Sequence, residues 1–299
     1  MLLAAEEAAG ARALALIGEE GHEPVLAVTT EGTRVATAAA AADVAIAAPS
    51  ALQDPGFADD VRSARIDLLL NVHSLVIVRP EILCAPRIGS FNLHPGPLPR
   101  YAGLDAPSWA ILEGAIEYGT TVHWMDERVD TGPVAYAATF PIEPAETGLS
   151  LSTRCAREGL ELLRRLLRAA AGGTIPSRPQ DLTQRRYFRR GPPGDGFVDW
   201  GTPAAAIERF VRACDFQPLQ SPWAPAPRAA LAGVELRLLR VGVTDIRAGL
   251  APGTIAVANG VSRVATGDVW LELEFVQIEG RTLRAAEFLS DGAMFDRPS

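Results

Sequence analysis

The sequence predicts an α/β domain with a mainly parallel sheet over residues 1–172, a linker over 173–203, and a smaller, mostly β domain over 204–299. Three observations lead to that fold class. Ile66–Val72 is a nearly continuous apolar run, as in a strand buried on both faces of a parallel sheet. Short β-rich runs alternate with alanine-rich or charged segments through the first half of the chain, as they do where helices cross between parallel strands. Beyond residue 204, one helical segment gives way to runs that alternate apolar and polar residues.

Taken in order, Pro24–Thr30 and Val44–Ala47 read as strands, with Thr33–Ala42 and Phe57–Ala64 as crossover helices. Pro107 starts a helix that ends near Gly114, and Thr120–Met125 resumes as a strand. Thr147 is a good N-cap for a long helix, in which Leu149, Leu151, Leu160, Leu163, Leu166 and Leu167 recur at helical spacing until Gly172 and Gly173. Residues 173–199 are rich in Pro, Gly and Arg without periodicity, which predicts an extended linker. Within it Arg185, Arg186, Arg189 and Arg190 flank Tyr187 and Phe188, either as a solvated strap or as a cationic arm for a substrate phosphate or carboxylate. Ala204–Cys214 then reads as a helix, and Val234–Val243, Gly253–Val257 and Val269–Ile278 read as strands of a small β barrel.

Composition narrows the chemistry. The formal charge is −8, which disfavours nucleic acid as a bulk partner, because phosphate is held by a strongly basic surface. All 28 basic side chains of the Lys/Arg class are arginines, so Schiff-base and P-loop lysine chemistry are absent. Cys84, Cys155 and Cys214 are widely spaced and expected to be reduced and buried. No apolar run approaches the roughly 20 residues of a membrane span, so a cytoplasmic protein without a membrane partner is expected. Trp109, Trp124, Trp200 and Trp223 either line an acceptor pocket or fill core, with core the preferred reading. His22, His73 and His123 read as structural; no histidine pair has metal-ligand spacing, and no metal is expected.

The informative stretch is RIGSFNLHPGPLPRYAG, followed by HWMDERVDTGP. Pro95, Gly96, Pro97 and Pro99 end a strand and fix a rigid loop. Asn92 and His94 are two apart, so on an extended chain they share a face. Asp130 lies in a loop between two apolar strands that can return to the same strand end. These residue types suit acyl transfer to an amine. The Asn92 amide can donate to an oxyanion, His94 can move a proton, and a buried Asp130 can orient the imidazole.

Together these two segments resemble the folate-dependent formyltransferase family, which carries Asn-x-His, a proline-rich loop with a following Gly, and a distal Asp-Thr-Gly. The resemblance implies catalytic roles for Asn92, His94 and Asp130. It implies a Rossmann-like first domain and an OB-like barrel after it, and 10-formyltetrahydrofolate as the formyl donor. NVHSLVIVRPEILCAPRIG is similar to the family's folate-binding segment, which makes Ser74, Leu75, Val76, Ile77 and Val78, with Asp126 and Val129, the implied cofactor residues. Pro95, Gly96, Pro97, Arg100, Tyr101 and Gly103 are the implied substrate residues. Family members usually begin with a short apolar strand before the first helix, whereas Met1 here is expected to lie at that helix, so that either the start is misassigned or the sheet lacks an edge.

The acceptor expected is a small or carrier-bound primary amine, such as an amino sugar, an amino acid or a secondary-metabolite intermediate. Methionyl-tRNA as acceptor, hydrolysis of 10-formyltetrahydrofolate, and a non-catalytic folate-binding homologue are the alternatives. Glycinamide ribonucleotide formyltransferase shares the motif but belongs to a shorter family without the second domain.

Overall fold

Met1–Leu3 does not start a helix. In the computed structural model, which describes residues 1–296, Leu2–Ala5 forms strand β1, and helix α1 begins only at Glu7 and runs to Glu19. All four residues of β1 are fully buried, and the strand is flanked by parallel partners on both sides, so the sheet has the strand that was expected to be missing. An Ala/Leu run fits a helix and a doubly buried strand equally well by pattern, and tertiary pairing decides between them.

The chain divides into two compact units. One comprises Met1–Ala106, Glu117–Pro141 and Ser152–Phe188; the other comprises Pro107–Ile116, Ile142–Leu151 and Arg189 onward. In the first unit β1 is followed by β2 (Leu26–Val28), α2 (Arg34–Ala41), β3 (Ala45–Ala47), α3 (Phe57–Ser63), β4 (Leu68–Val72), α4 (Pro80–Leu83), β5 (Gly89–His94) and β6 (Ala102–Gly103). After α5 (Ala106–Leu112), which apart from Ala106 belongs to the second unit, come β7 (Glu117–Trp124), β8 (Val134–Pro141), α6 (Gly148–Gly172, in this unit from Ser152) and β9 (Tyr187–Phe188). The main sheet has the order β3-β2-β1-β4-β5-β7-β8, parallel from β3 to β5, with β7 and β8 antiparallel. The order reverses direction at β1, so the carboxyl ends of β1, β4 and β5 open a crevice, the usual ligand site of such sheets.

Strand alternation builds a core on each face. Leu3 and Leu70 pack with Leu14, Val35, Leu163 and Leu166 of α1, α2 and α6; Leu2 and Leu69 pack with Leu52, Phe57, Val61 and Ile82. Each fully buried leucine contributes on the order of 2 kcal/mol. Thr33, read from sequence as the first residue of the helix, instead caps α2 by accepting from Ala36 N at 3.1 Å. Cys155 and Cys214 are buried and not in disulfides, the Cys155 thiol donates to Gly119 O (3.7 Å), and burial pushes the Cys214 thiol up to about 12. Cys84, expected to be buried, is exposed, because it follows the single turn of α4 and has no core face to enter.

The second unit holds α7 (Ala204–Ala213), strands β10 (Arg228–Leu231), β11 (Val234–Arg247), β12 (Ile255–Ala258), β13 (Val261–Ala265), β14 (Val269–Ile278) and β15 (Arg281–Arg284), and α8 (Ala285–Phe288). Its sheet is antiparallel in the order β10-β11-β14-β13-β12, with β15 also on β14. Trp200 stacks on Phe295 with ring centroids 4.8 Å apart, and Trp223 is fully buried. Among the described residues no helix is long and apolar enough to cross a membrane, and no group of three metal-ligating side chains is found.

Candidate active site

β5 delivers Asn92 and His94 to its carboxyl end and stops there, because Pro95 and Pro97 cannot continue the ladder. The following loop is pinned by β7. Tyr118 donates its hydroxyl to Pro95 O (2.9 Å), Thr120 to His94 O (2.9 Å) and Thr121 to Gly96 O (2.8 Å), while Leu98 N donates back to Thr121 Oγ1 (3.2 Å). Gly96 is required by close approach: a Cβ there would lie 2.8 Å from both His94 Nε2 and Tyr101 O.

Asp130 ends the β7–β8 connection with a left-handed backbone (φ 58°) and a buried carboxylate. Its side chain meets four groups. Gly103 N donates to Oδ2 at 2.8 Å, His94 Nδ1 lies 3.5 Å from Oδ2, Asn92 Nδ2 donates to Oδ1 at 3.5 Å, and His123 Nε2 lies 3.4 Å from Oδ1. Gln180 holds the loop from behind, donating to Asp130 O and Gly132 O. Asn92 and His94, two of the three residues implied as catalytic, therefore each lie 3.5 Å from the third, Asp130. His94 Nε2 donates to the Tyr101 carbonyl at 2.5 Å, which assigns the proton to that nitrogen and turns Nδ1 toward Asp130.

His123, read from sequence as structural, belongs to this cluster. The register of β5 and β7 puts it opposite Asn92, and its Nδ1 donates to Trp124 O (2.7 Å), so the neutral ring accepts from Asn92 Nδ2 at 3.1 Å. When protonated, Nε2 donates to Asp130 instead. The signal was present in the period-two spacing of the strand, but the strand pairing was not, and pairing is what brings His123 to Asn92.

Burial by itself would raise the Asp130 carboxyl. The charge of His94, the hydrogen bond and charge of His123, and the Gly103 amide outweigh it and hold the carboxyl well below the ordinary aspartate value. A carboxyl depressed by folding contributes stability that is present above its unfolded value, near 3.8, and is lost as pH falls toward its folded value. Acid unfolding followed by circular dichroism should therefore begin at lower stability but change less steeply below pH 4 in Asp130→Asn than in the unaltered protein. Equal slopes would contradict the depression.

The implied cofactor residues split by face. Ser74 and Val78 are buried, Val76 packs on the core, and Leu75 and Ile77 are 63% and 61% exposed at the carboxyl end of β4. Val129 is also exposed. Leu75 and Ile77 are thus left open to solvent while their neighbours Ser74, Val76 and Val78 face inward. Asp126 is occupied in bracing its own loop, accepting from Arg128 N (3.1 Å) and Thr131 Oγ1 (2.6 Å). Of the implied substrate residues, Tyr101 turns its ring onto Phe188 (5.5 Å) and Tyr118 (5.2 Å), and Gly103 gives its N–H to Asp130, so both shape the cluster; Arg100 is exposed. His73, one residue beyond β4, has a left-handed backbone (φ 60°), and burial lowers its pKa, with Glu7 opposing and His94 adding to the shift.

Comparison with known proteins gives these side chains a chemical setting. Residues 8–167 match the family described as formyl transferase, and residues 192–292 match its C-terminal domain. The chain is 34% identical over 260 residues to methionyl-tRNA formyltransferase of Roseiflexus castenholzii, covering 86% of this chain and 80% of that one. It is 30% identical over 293 residues to that of Herpetosiphon aurantiacus, covering 94% and 93%. In fold it is similar to the N-formyltransferase from Helicobacter canadensis crystallised with folinic acid and dTDP-3-aminofucose (TM-score 0.68, 17% identity, 91% of this chain and 97% of that chain). Family matches over both domains, together with identity of this order across most of each relative, show that the chain belongs to the formyl transferase family and is a folate-dependent formyltransferase.

Proposed function

We propose that the protein transfers the formyl group of 10-formyltetrahydrofolate to the primary amine of a small or carrier-bound acceptor, at the cluster of Asn92, His94, His123 and Asp130. The observation that carries this reading is the buried Asp130 carboxylate, which is contacted by two imidazoles, an amide side chain and a backbone N–H at the end of β5. Bound at Ser74–Val78, the folate supplies an activated formyl carbon. The Asn92 amide then stabilises negative charge on the formyl oxygen as the amine nitrogen bonds to the formyl carbon, and the His94–Asp130 pair takes the proton that the amine gives up. That proton passes to the folate N10 as its bond to the formyl carbon breaks and tetrahydrofolate leaves. To take the proton, His94 adopts the tautomer that carries its own proton on Nδ1 toward Asp130, so that Nε2 leaves the Tyr101 carbonyl with a lone pair open to the amine's proton, and Asp130 stabilises the charge that results.

Charge supports a small acceptor. In the second unit, Arg212, Arg228, Arg240 and Arg263 are each paired with a glutamate, and the chain has no lysine to add to them. Methionyl-tRNA is the second reading, and the relatives that bear that name favour it. The test is tetrahydrofolate release from 10-formyltetrahydrofolate with nucleotide-linked amino sugars, amino acids and methionyl-tRNA as acceptors. Release that requires a small amine supports the proposal, release only with methionyl-tRNA supports the second reading, and release with no amine makes the protein a hydrolase.

A further inference from the structure

Asp130 lies in a loop and has a left-handed backbone (φ 58°), a conformation that residues with a side chain seldom take. Such a conformation persists where the surroundings over-determine it. Here the surroundings are a strap of residues 174–188, which runs from the end of α6 through β9 and is laced to the β7–β8 loop along its length. Trp124 Nε1 donates to Pro176 O (2.8 Å), Arg178 and Val134 exchange backbone bonds (2.8 and 3.0 Å), and Arg185 Nη2 donates to Val129 O (2.9 Å).

Gln180 lies in the middle of this lacing. Its Nε2 donates to Asp130 O at 3.1 Å and to Gly132 O at 2.6 Å, so one nitrogen grips the carbonyls on both sides of Thr131. A primary amide has two hydrogens on one neutral nitrogen, and it makes both bonds without adding a charge beside the Asp130 carboxylate. The partner oxygen, Gln180 Oε1, is buried without a hydrogen bond, an arrangement that folding stability alone does not favour. Farther along the strap, Phe188 O accepts from Leu104 N (2.9 Å), next to Gly103, whose N–H donates to Asp130 Oδ2 at 2.8 Å. One segment therefore fixes both the backbone of Asp130 and the amide that its carboxylate binds.

We propose that Gln180 is a positioning residue for formyl transfer: by holding the carbonyls of Asp130 and Gly132 it sets the direction in which the Asp130 carboxylate faces His94. The proposal rests on the formyl-transfer reading and adds to it a residue of the strap. Gln180→Met keeps the length of the side chain and removes both donors, and Gln180→Glu keeps its shape and replaces the donors with an anion. Each should lower kcat for tetrahydrofolate release roughly tenfold to a hundredfold, the scale of a small displacement of a catalytic group. Arg178→Ala, an exposed side chain on the same strap, should leave kcat unchanged, because its residue is joined to Val134 through backbone only. A residue with a merely structural role would cost the same in any background. Gln180→Met should instead cost less than about threefold when added to Asp130→Ala, because the carboxylate it positions is then gone. A second readout needs no turnover. The Asp130 carboxyl is held below its ordinary value by the groups it faces, and that contribution to stability is lost as pH falls below about 4. Acid unfolding of Gln180→Met should therefore change less steeply there than that of the unaltered protein, in the same direction as Asp130→Asn. Full additivity with Asp130→Ala, or an unaltered acid slope, would overturn the assignment. A flattened slope in a protein that releases no tetrahydrofolate with any amine would sink the formyl-transfer reading and leave Gln180 as the brace of Asp130.

Discussion

Asp130→Ala is expected to lower amine-dependent tetrahydrofolate release by about 10³- to 10⁴-fold, the scale of losing the orienting carboxylate of a catalytic triad. The carboxylate is the one group that touches His94, His123, Asn92 and the Gly103 amide together, so its loss removes the charge facing two imidazoles and leaves a part-buried N–H without its acceptor. His94→Ala should cost a similar amount. The double variant should cost little more than either alone, because residues that act as one unit are not additive. Folate binding, measured by calorimetry with 5-formyltetrahydrofolate, should survive in both, since the exposed Leu75 and Ile77 are untouched. Turnover within tenfold of the unaltered protein in both variants would remove Asp130 and His94 from the mechanism.

Gly103→Ala is expected to damage stability and turnover together. Gly103 has a left-handed backbone (φ 94°), and a Cβ there would lie 2.1 Å from Phe188 O, the carbonyl that accepts from Leu104 N and joins the strap to the loop. Left-handed strain alone costs about 1–2 kcal/mol in a residue with a side chain, and the clash with backbone adds to it. Gly173→Ala is the matched control: its φ is 85°, but nothing lies within 4 Å of the added carbon. Both substitutions should lower the melting temperature, Gly103→Ala by more, and only Gly103→Ala should lower kcat, because its N–H holds Asp130. Equal melting temperatures for the two would show that the strap contact carries no energy.

Local pattern was enough to read most of the elements. The continuous run at Ile66–Val72 could bury both faces only inside a parallel sheet, and β4 lies there, flanked by β1 and β5. The same rule misled at Leu2–Ala5, where an apolar run too short to show a period has two readings. The strap was opaque for a different reason. Tyr187 and Phe188 become a strand only because Ala102 and Gly103 lie alongside, a partner more than eighty residues away in sequence.

By itself the sequence determined that Asn92 and His94 share one face at a strand end, because side chains alternate along an extended chain and proline cannot continue it. It also determined that a distant Asp-Thr-Gly loop and a lysine-free, acidic composition would accompany them. The tertiary structure alone decided that His123 faces Asn92, that the Tyr101 carbonyl accepts a hydrogen bond from His94, and that Arg185 reaches the loop of Asp130. These are pairings between strands and loops, and their geometry depends on register, which no single segment carries in its own residues.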